Sequence, residues 1–144
     1  PVCLMHMQGT PQTMQEAPRY ADVVADIAAF LEARMESCLD AGIDRDQILL
    51  DPGFGFGKTV EHNLELLRRL PELAALGPPL LVGLSRKSLI GKLTGRDVAD
   101  RLPGSLALAL LATQRGARLL RVHDVAETVD VLRILEAFDK EDRS

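Results

Sequence analysis

A short set of ionisable residues stands at the ends of apolar runs. His6 closes VCLMH, Asp51 closes ILLD, Ser85-Arg86-Lys87 follow LLVGL, and Arg121 and His123 follow the apolar pair Leu119-Leu120. A carboxylate, an ammonium, a guanidinium and imidazoles at one rim suit a small ligand with a polar N–H edge and an anionic group. Arg121 and His123 are two apart, so on a strand they share a face. Together they read as a phosphate clamp, against the plainer reading of a solvated arginine and a capping histidine beside Asp124. Asp51 either closes a turn on its own backbone, as Asp-Pro-Gly often does, or grips the N–H edge of a ligand.

DPGFGFGKT (51–59) has the composition of a phosphate-wrapping loop but the wrong spacing. A nucleotide P-loop needs glycine, four residues, then Gly-Lys-Ser/Thr. Pro52 occupies the position of the first glycine, and Lys58 occupies the third-glycine position of the dinucleotide pattern. The glycines instead let backbone approach a flat ligand, with Phe54 or Phe56 to stack on it. Lys58 itself reads as a solvated loop charge. His62 reads as plain surface, as does Arg86. Met5 lines a pocket or fills core. Lys87 lies at a strand-to-helix junction, where Ser88 starts a helix whose free N–H groups suit an anion.

The elements that position these residues follow from periodicity. Strands are expected at Val2–His6, Ile48–Asp51, Leu80–Leu84 and Arg118–Val122. Between them, apolar residues recur at helical spacing over Tyr20–Ala41, with Gly42 as a stop. Thr59 N-caps a helix that fades near Pro71 or Gly77, a short helix follows Ser88, and apolar helices cover Pro103–Arg115 and Ala126–Phe138. The tail after Phe138 is expected to fray. The order β-α-β-α-β-α-β-α with uniformly apolar strands predicts a parallel sheet covered by helices. Two α/β architectures fit: a small doubly wound, flavodoxin-like sheet, or four βα units of an eight-stranded barrel. In both, function belongs at the carboxyl ends of the strands.

Composition narrows the rest. The 144 residues make one ordinary domain or a piece of a larger one, with a hydrophobic share of 47% and a net charge of −4. That charge argues against a general nucleic-acid surface. Two distant cysteines, Cys3 and Cys38, suggest a reducing, cytoplasmic setting. The most apolar run, Leu106–Ala112, is far below the ~20 residues needed to span a bilayer. Pro1 opens directly on a strand, as in a chain cut from something longer.

LMHMQGTPQTMQ, LLDPGFGFGK, VGLSRKSLIG and RVHD, in that order, closely resemble bacterial dihydropteroate synthase. The resemblance covers essentially the whole chain but only the second half of the family's. It implies the C-terminal four βα units of a (β/α)8 TIM barrel, residues 1–144 forming a partial pterin-binding domain. That family joins hydroxymethyl-dihydropterin pyrophosphate to p-aminobenzoate in folate biosynthesis, releasing pyrophosphate, and sulfonamides compete with p-aminobenzoate. Carried over, Asp51 accepts from the pterin's amino-pyrimidine edge and Lys87 holds the pterin from the other side. Arg121 and His123 bind pyrophosphate. Met5 and Gly83 shape the pterin slot, Phe56 packs near the aminobenzoate ring, and Ser88 meets its carboxylate. Mg²⁺ serves the leaving group in the family, through a ligand in the first half. The first-half motifs are absent, so the chain is expected to be inactive alone. Its open sheet edges, its bare interior face and the apolar Ser105–Thr113 helix predict self-association, as a homodimer or otherwise. A pterin-binding methyltransferase is the rival enzyme, but gives no reason for paired Arg121 and His123.

Overall fold

The structure, a computed structural model, describes residues 1–10, 12 and 18–141. The strands are β1 (Val2–Met5), β2 (Ile48–Asp51), β3 (Leu80–Val82) and β4 (Ala117–Leu120). The helices are α1 (Val23–Asp40), α2 (Val60–Arg68), α3 (Leu70–Ala74), α4 (Ser88–Thr94), α5 (Leu102–Gln114) and α6 (Val125–Glu141). The strands form one parallel sheet in chain order, β1-β2-β3-β4. A doubly wound sheet reverses its strand order at a switch point. This sheet never reverses, so the flavodoxin-like alternative fails. With right-handed crossovers, consecutive order puts every connecting helix on the same side, as in a barrel.

The two faces differ accordingly. Ile48, Leu50, Leu80 and Val82 are buried beneath the helices with Ile27, Leu31, Leu66, Leu70 and Leu73. Each such side chain contributes about 1.5–3 kcal/mol by leaving water. The opposite face carries Cys3, Leu49, Leu81 and Leu119, which are exposed or half-buried. Cys3 pairs with Leu49 and Leu81 with Leu119, and because Leu50 pairs with Leu80 the second pair sits one inner step higher on an uncovered inner face. The pairing shifts between Leu80 and Leu81, so Ala117 opposes Leu80 while Leu119 opposes Leu81. Arg118 is the extra residue of this bulge. Without it, Leu119 and every second residue after it would turn to the helix side.

Local chemistry sets most helix ends. Asp22, not Tyr20, begins α1: its carboxylate accepts from the N–H groups of Val24 and Ala25 at 3.0 Å. Gly42, at φ 83°, ends it. Thr59 caps α2 as expected, accepting the His62 N–H at 3.1 Å. The next helix is broken in two at Arg69, because Pro71 sits in the first turn of α3. Arg69 forks to Asp22 at 3.0 Å and Glu72 at 2.7 Å, tying the start of α1 to that break. β1, β3 and β4 end one or two residues earlier than periodicity suggests, whereas β2 ends at Asp51 as expected. α6 runs on to Glu141, past the expected fraying point, and residues 142–144 lie outside the described residues, as does Pro11. No helix among the described residues is long and apolar enough to cross a membrane.

Leu31 is fully buried between α1 and its neighbours, whereas Leu93 is 50% exposed. Leu31→Ala should lower the unfolding free energy by about 2–5 kcal/mol in urea denaturation, and Leu93→Ala by well under half of that.

Candidate active site

The inner face of the sheet continues into the site. Two residues beyond Cys3, Leu49, Leu81 and Leu119 on the same face come Met5, Asp51, Gly83 and Arg121. Met5 and Asp51 are register partners, and the Arg121 N–H bonds the Val82 carbonyl at 2.9 Å. With Leu50 paired to Leu80, Met5 and Asp51 stand level with Leu81 and Leu119, and Gly83 and Arg121 stand one step beyond them toward the same rim.

Asp51 is buried, and its Oδ1 accepts the Gly53 N–H at 2.8 Å. The turn role is thus real, and it fixes the carboxylate at the rim. Gly83 matters through what lies on it. A Cβ there would sit 3.1 Å from Arg121 Nη2 and 3.2 Å from Nε, so the guanidinium packs flat against the bare backbone. Lys87 Nζ donates to the Phe54 carbonyl and lies 4.7 Å from the centre of the Phe56 ring. Burial lowers its pKa to about 8, with Asp51 pulling the other way and Arg121 adding to the drop. One ammonium therefore feels both the carboxylate of β2 and the guanidinium of β4. Ser88 is exposed at the first position of α4.

Arg121 and His123 lie past the end of β4, so a shared strand face does not bring them together. Ser85 does. Its Oγ accepts the His123 backbone N–H at 3.2 Å and lies 2.9 Å from His123 Nδ1. The one hydroxyl thus holds both the backbone and the ring of His123. Gly83, Lys87, Arg121 and His123 line one cavity of about 610 Å³ with Ser85 and Arg86.

Three side chains differ from their sequence reading. Arg86 is no free surface charge: it pairs with Asp124 at 2.7 Å and is the one described non-glycine residue at positive φ, 56°. Its N–H is held by Ser105 Oγ at 2.9 Å, so α5 and the β4 loop together fix the turn that aims Lys87. His62 is half-buried and closes the Thr59 cap, its Nδ1 accepting the Thr59 N–H at 3.1 Å. Lys58 is buried rather than solvated. Of the two loop phenylalanines, Phe54 is in the core and only Phe56 faces Lys87. His6, also buried, stands edge-on to Phe30 with ring centres 5.0 Å apart. Nothing in the sequence marked Ser85 as an orienting group. The signal was its place two residues after Gly83, at the end of a strand adjacent to β4.

Residues 1–123 match the model of the family described as pterin binding enzyme. The chain belongs to that family. Pterin-binding relatives of known sequence include the dihydropteroate synthase of Escherichia coli K12, 54% identical over 137 residues, or 95% of this chain and 49% of the relative. Among solved structures, Yersinia pestis dihydropteroate synthase with a sulfonamide drug superposes with TM-score 0.95 at 50% identity, over 98% of this chain and 52% of that one. Xanthomonas albilineans dihydropteroate synthase with 7,8-dihydropteroate gives TM-score 0.89 at 53% identity, over 96% and 50%. The chain thus spans about half the length of the curated relatives it matches. Its four strands and their helices are the C-terminal half of a (β/α)8 barrel.

Two measurements follow from this geometry. The imidazole nitrogen shifts of His123 should move in Ser85→Ala and stay put in Leu93→Ala. Folded Lys87 also has a pKa of about 8, below the ordinary 10.5 that it regains on unfolding. Between these values the unfolded chain binds more protons, so this group makes unfolding free energy rise with pH. Urea denaturation at pH 7 and pH 9 should show that rise reduced in Lys87→Met.

Proposed function

We propose that this chain supplies the carboxyl-terminal rim of a dihydropteroate synthase. The reaction condenses hydroxymethyl-dihydropterin pyrophosphate with p-aminobenzoate to give dihydropteroate and pyrophosphate. The observation that carries the reading is the position of Lys87, which lines one cavity with Arg121 and His123 and lies within electrostatic reach of Asp51.

In this reading Asp51 accepts from the amino-pyrimidine edge of the pterin, and its bond to Gly53 keeps the carboxylate from turning away. Lys87 donates to ring acceptors on the opposite side, from beneath the Phe56 ring. Met5 and Gly83 shape the slot, Phe56 borders the aminobenzoate ring and Ser88 meets its carboxylate. Arg121 and His123 take the pyrophosphate. The C–O bond to the pterin's methylene carbon breaks and its electron pair leaves with pyrophosphate. The aryl amine's lone pair then forms the C–N bond, and the amine loses a proton. Such a step needs position and stabilised negative charge more than proton transfer. A planar, permanently charged guanidinium laid flat on Gly83 suits that task, because it is held before the charge develops. The paired Arg121 and His123 favour a synthase over a pterin-binding methyltransferase.

Mg²⁺, implied by the family likeness, finds no group of three or more His, Cys, Asp or Glu side chains among the described residues. Within this chain the anion's charge falls to Arg121, His123 and Lys87. Residues 1–144 are read as one partial barrel domain in a cytoplasmic enzyme, in keeping with two free cysteines. The uncovered inner face and the α5–α6 face suit self-association. The exposed apolar side chains of that face lie mainly on α6, where Ile134 is 73% and Phe138 63% exposed, rather than on the Ser105–Thr113 helix.

Calorimetry with pyrophosphate tests the reading. Binding should weaken at least ten-fold in Arg121→Ala and fade with added salt. Equal affinity in both proteins, or none in either, would refute it. The 144-residue chain given both substrates and Mg²⁺ should show no turnover, since half of the barrel rim lies outside it.

A further inference from the structure

Lys58 is a buried ammonium that the site's chemistry leaves unused. It lies on the loop between β2 and α2, and its Nζ reaches three acceptors. The Gly53 carbonyl is 2.7 Å away, the Phe56 carbonyl 2.9 Å, and His6 Nδ1 3.1 Å. An ammonium has three N–H groups and no lone pair, so the valence of Lys58 is filled. His6 must then present Nδ1 as an acceptor, and the ring is suited to it. Its pKa falls to about 4, through burial and the nearby Lys58, so it is neutral at physiological pH.

The loop that Lys58 spans is held by single bonds rather than by a ladder. Gly53, Gly55 and Gly57 all adopt positive φ, and the loop has no strand or helix bonds of its own. Gly53 presses so close to β1 that a Cβ on it would lie 1.9 Å from the His6 carbonyl oxygen. Asn63 Oδ1 takes the Gly55 N–H at 2.9 Å, and Tyr20 donates to the Gly57 carbonyl at 2.8 Å. The Phe56 N–H already meets the Gly53 carbonyl at 3.0 Å, and Lys58 ties that turn, through both carbonyls, to His6 at the end of β1. The same short stretch offers Phe56 to Lys87 and the Phe54 carbonyl to its ammonium.

We propose that Lys58 is a positioning residue: its bonds to Gly53, Phe56 and His6 hold the glycine loop in the one shape that presents Phe56 and the Phe54 carbonyl to Lys87. The proposal deepens the synthase reading and rests on it for the ligand, but not for the loop. Keeping an ammonium there opposes stability. Burial, with Lys87 adding to it and Asp51 opposing, draws the Lys58 pKa down to about 7. A charge retained at that cost is better explained by shape than by stability.

The test replaces Lys58 by Met, which keeps the length and loses the donors. Without ligand, exchange protection of the Gly55 and Phe56 amides should fall at least ten-fold, while that of α1 and α5 amides stays within two-fold. Pterin affinity by calorimetry should fall at least ten-fold, and pyrophosphate affinity should stay within two-fold, because Arg121 and His123 hang from β4. A general loss of structure would move both affinities together. Unchanged loop protection in a folded Lys58→Met overturns the proposal. If that variant does not fold, wild type at pH 6 decides. A slowly exchanging Lys58 ammonium with cross-bond couplings to the Gly53 and Phe56 carbonyl carbons supports the clamp, and a fast-exchanging one overturns it. Should wild type bind no pterin, the synthase reading fails while the loop measurements still judge the clamp.

Discussion

Four parallel strands held in register, with side chains alternating between faces, govern where this chain's chemistry falls. Because the side-chain period is two, the residue two beyond each inner apolar side chain must also face inward. Cys3, Leu49, Leu81 and Leu119 face inward, so Met5, Asp51, Gly83 and Arg121 do as well. The bulge at Arg118 is what keeps the fourth strand in phase. A one-residue slip there would send Arg121 toward the helices and leave the anion site without its permanent cation. Helix packing on the other face, centred on Ile48, Leu50, Leu80 and Val82, holds that phase because a slip would also expose the core.

Above the sheet, the site is made by loops that hold one another. Arg86 accepts a strained backbone at φ 56° because Asp124 grips its side chain and Ser105 its N–H. That turn delivers Lys87 to the Phe54 carbonyl, on a loop braced by Lys58, Asn63 and Tyr20. Ser85 orients His123 from the neighbouring strand. Lys87, Arg121 and His123 are each fixed by a residue from a neighbouring βα unit, whereas Asp51 is held by Gly53 within its own. Such mutual support is how a site becomes rigid without belonging to any single element.

The electrostatic pattern has the same origin. Two lysines come close to one carboxylate in partly dry surroundings, and both lose proton affinity: Lys87 to about 8 and Lys58 to about 7. Their environments separate their uses. Lys58 has three protein acceptors and no spare proton, whereas Lys87 has one protein acceptor and an open cavity beside it.

The sequence by itself determined the α/β class, the strand and helix order and the rim on which Asp51, Lys87, Arg121 and His123 lie. Those follow from local periodicity and from polar residues at the ends of apolar runs. It also determined the pterin-binding family, since four motifs in order leave little room for another. Periodicity alone did not choose between a doubly wound sheet and a barrel half, because strand order is set by contacts between distant segments, but the family motifs did, and the strand order agrees with them. Nor did it find the burial of Lys58, the capping role of His62, the grip of Asp124 on Arg86 or the hold of Ser85 on His123. A lysine after a glycine run looks solvated until β1 brings His6 within 3.1 Å of it. A polar side chain's partners are chosen by proximity in space, and only the packed sheet and its crossed loops supply that proximity.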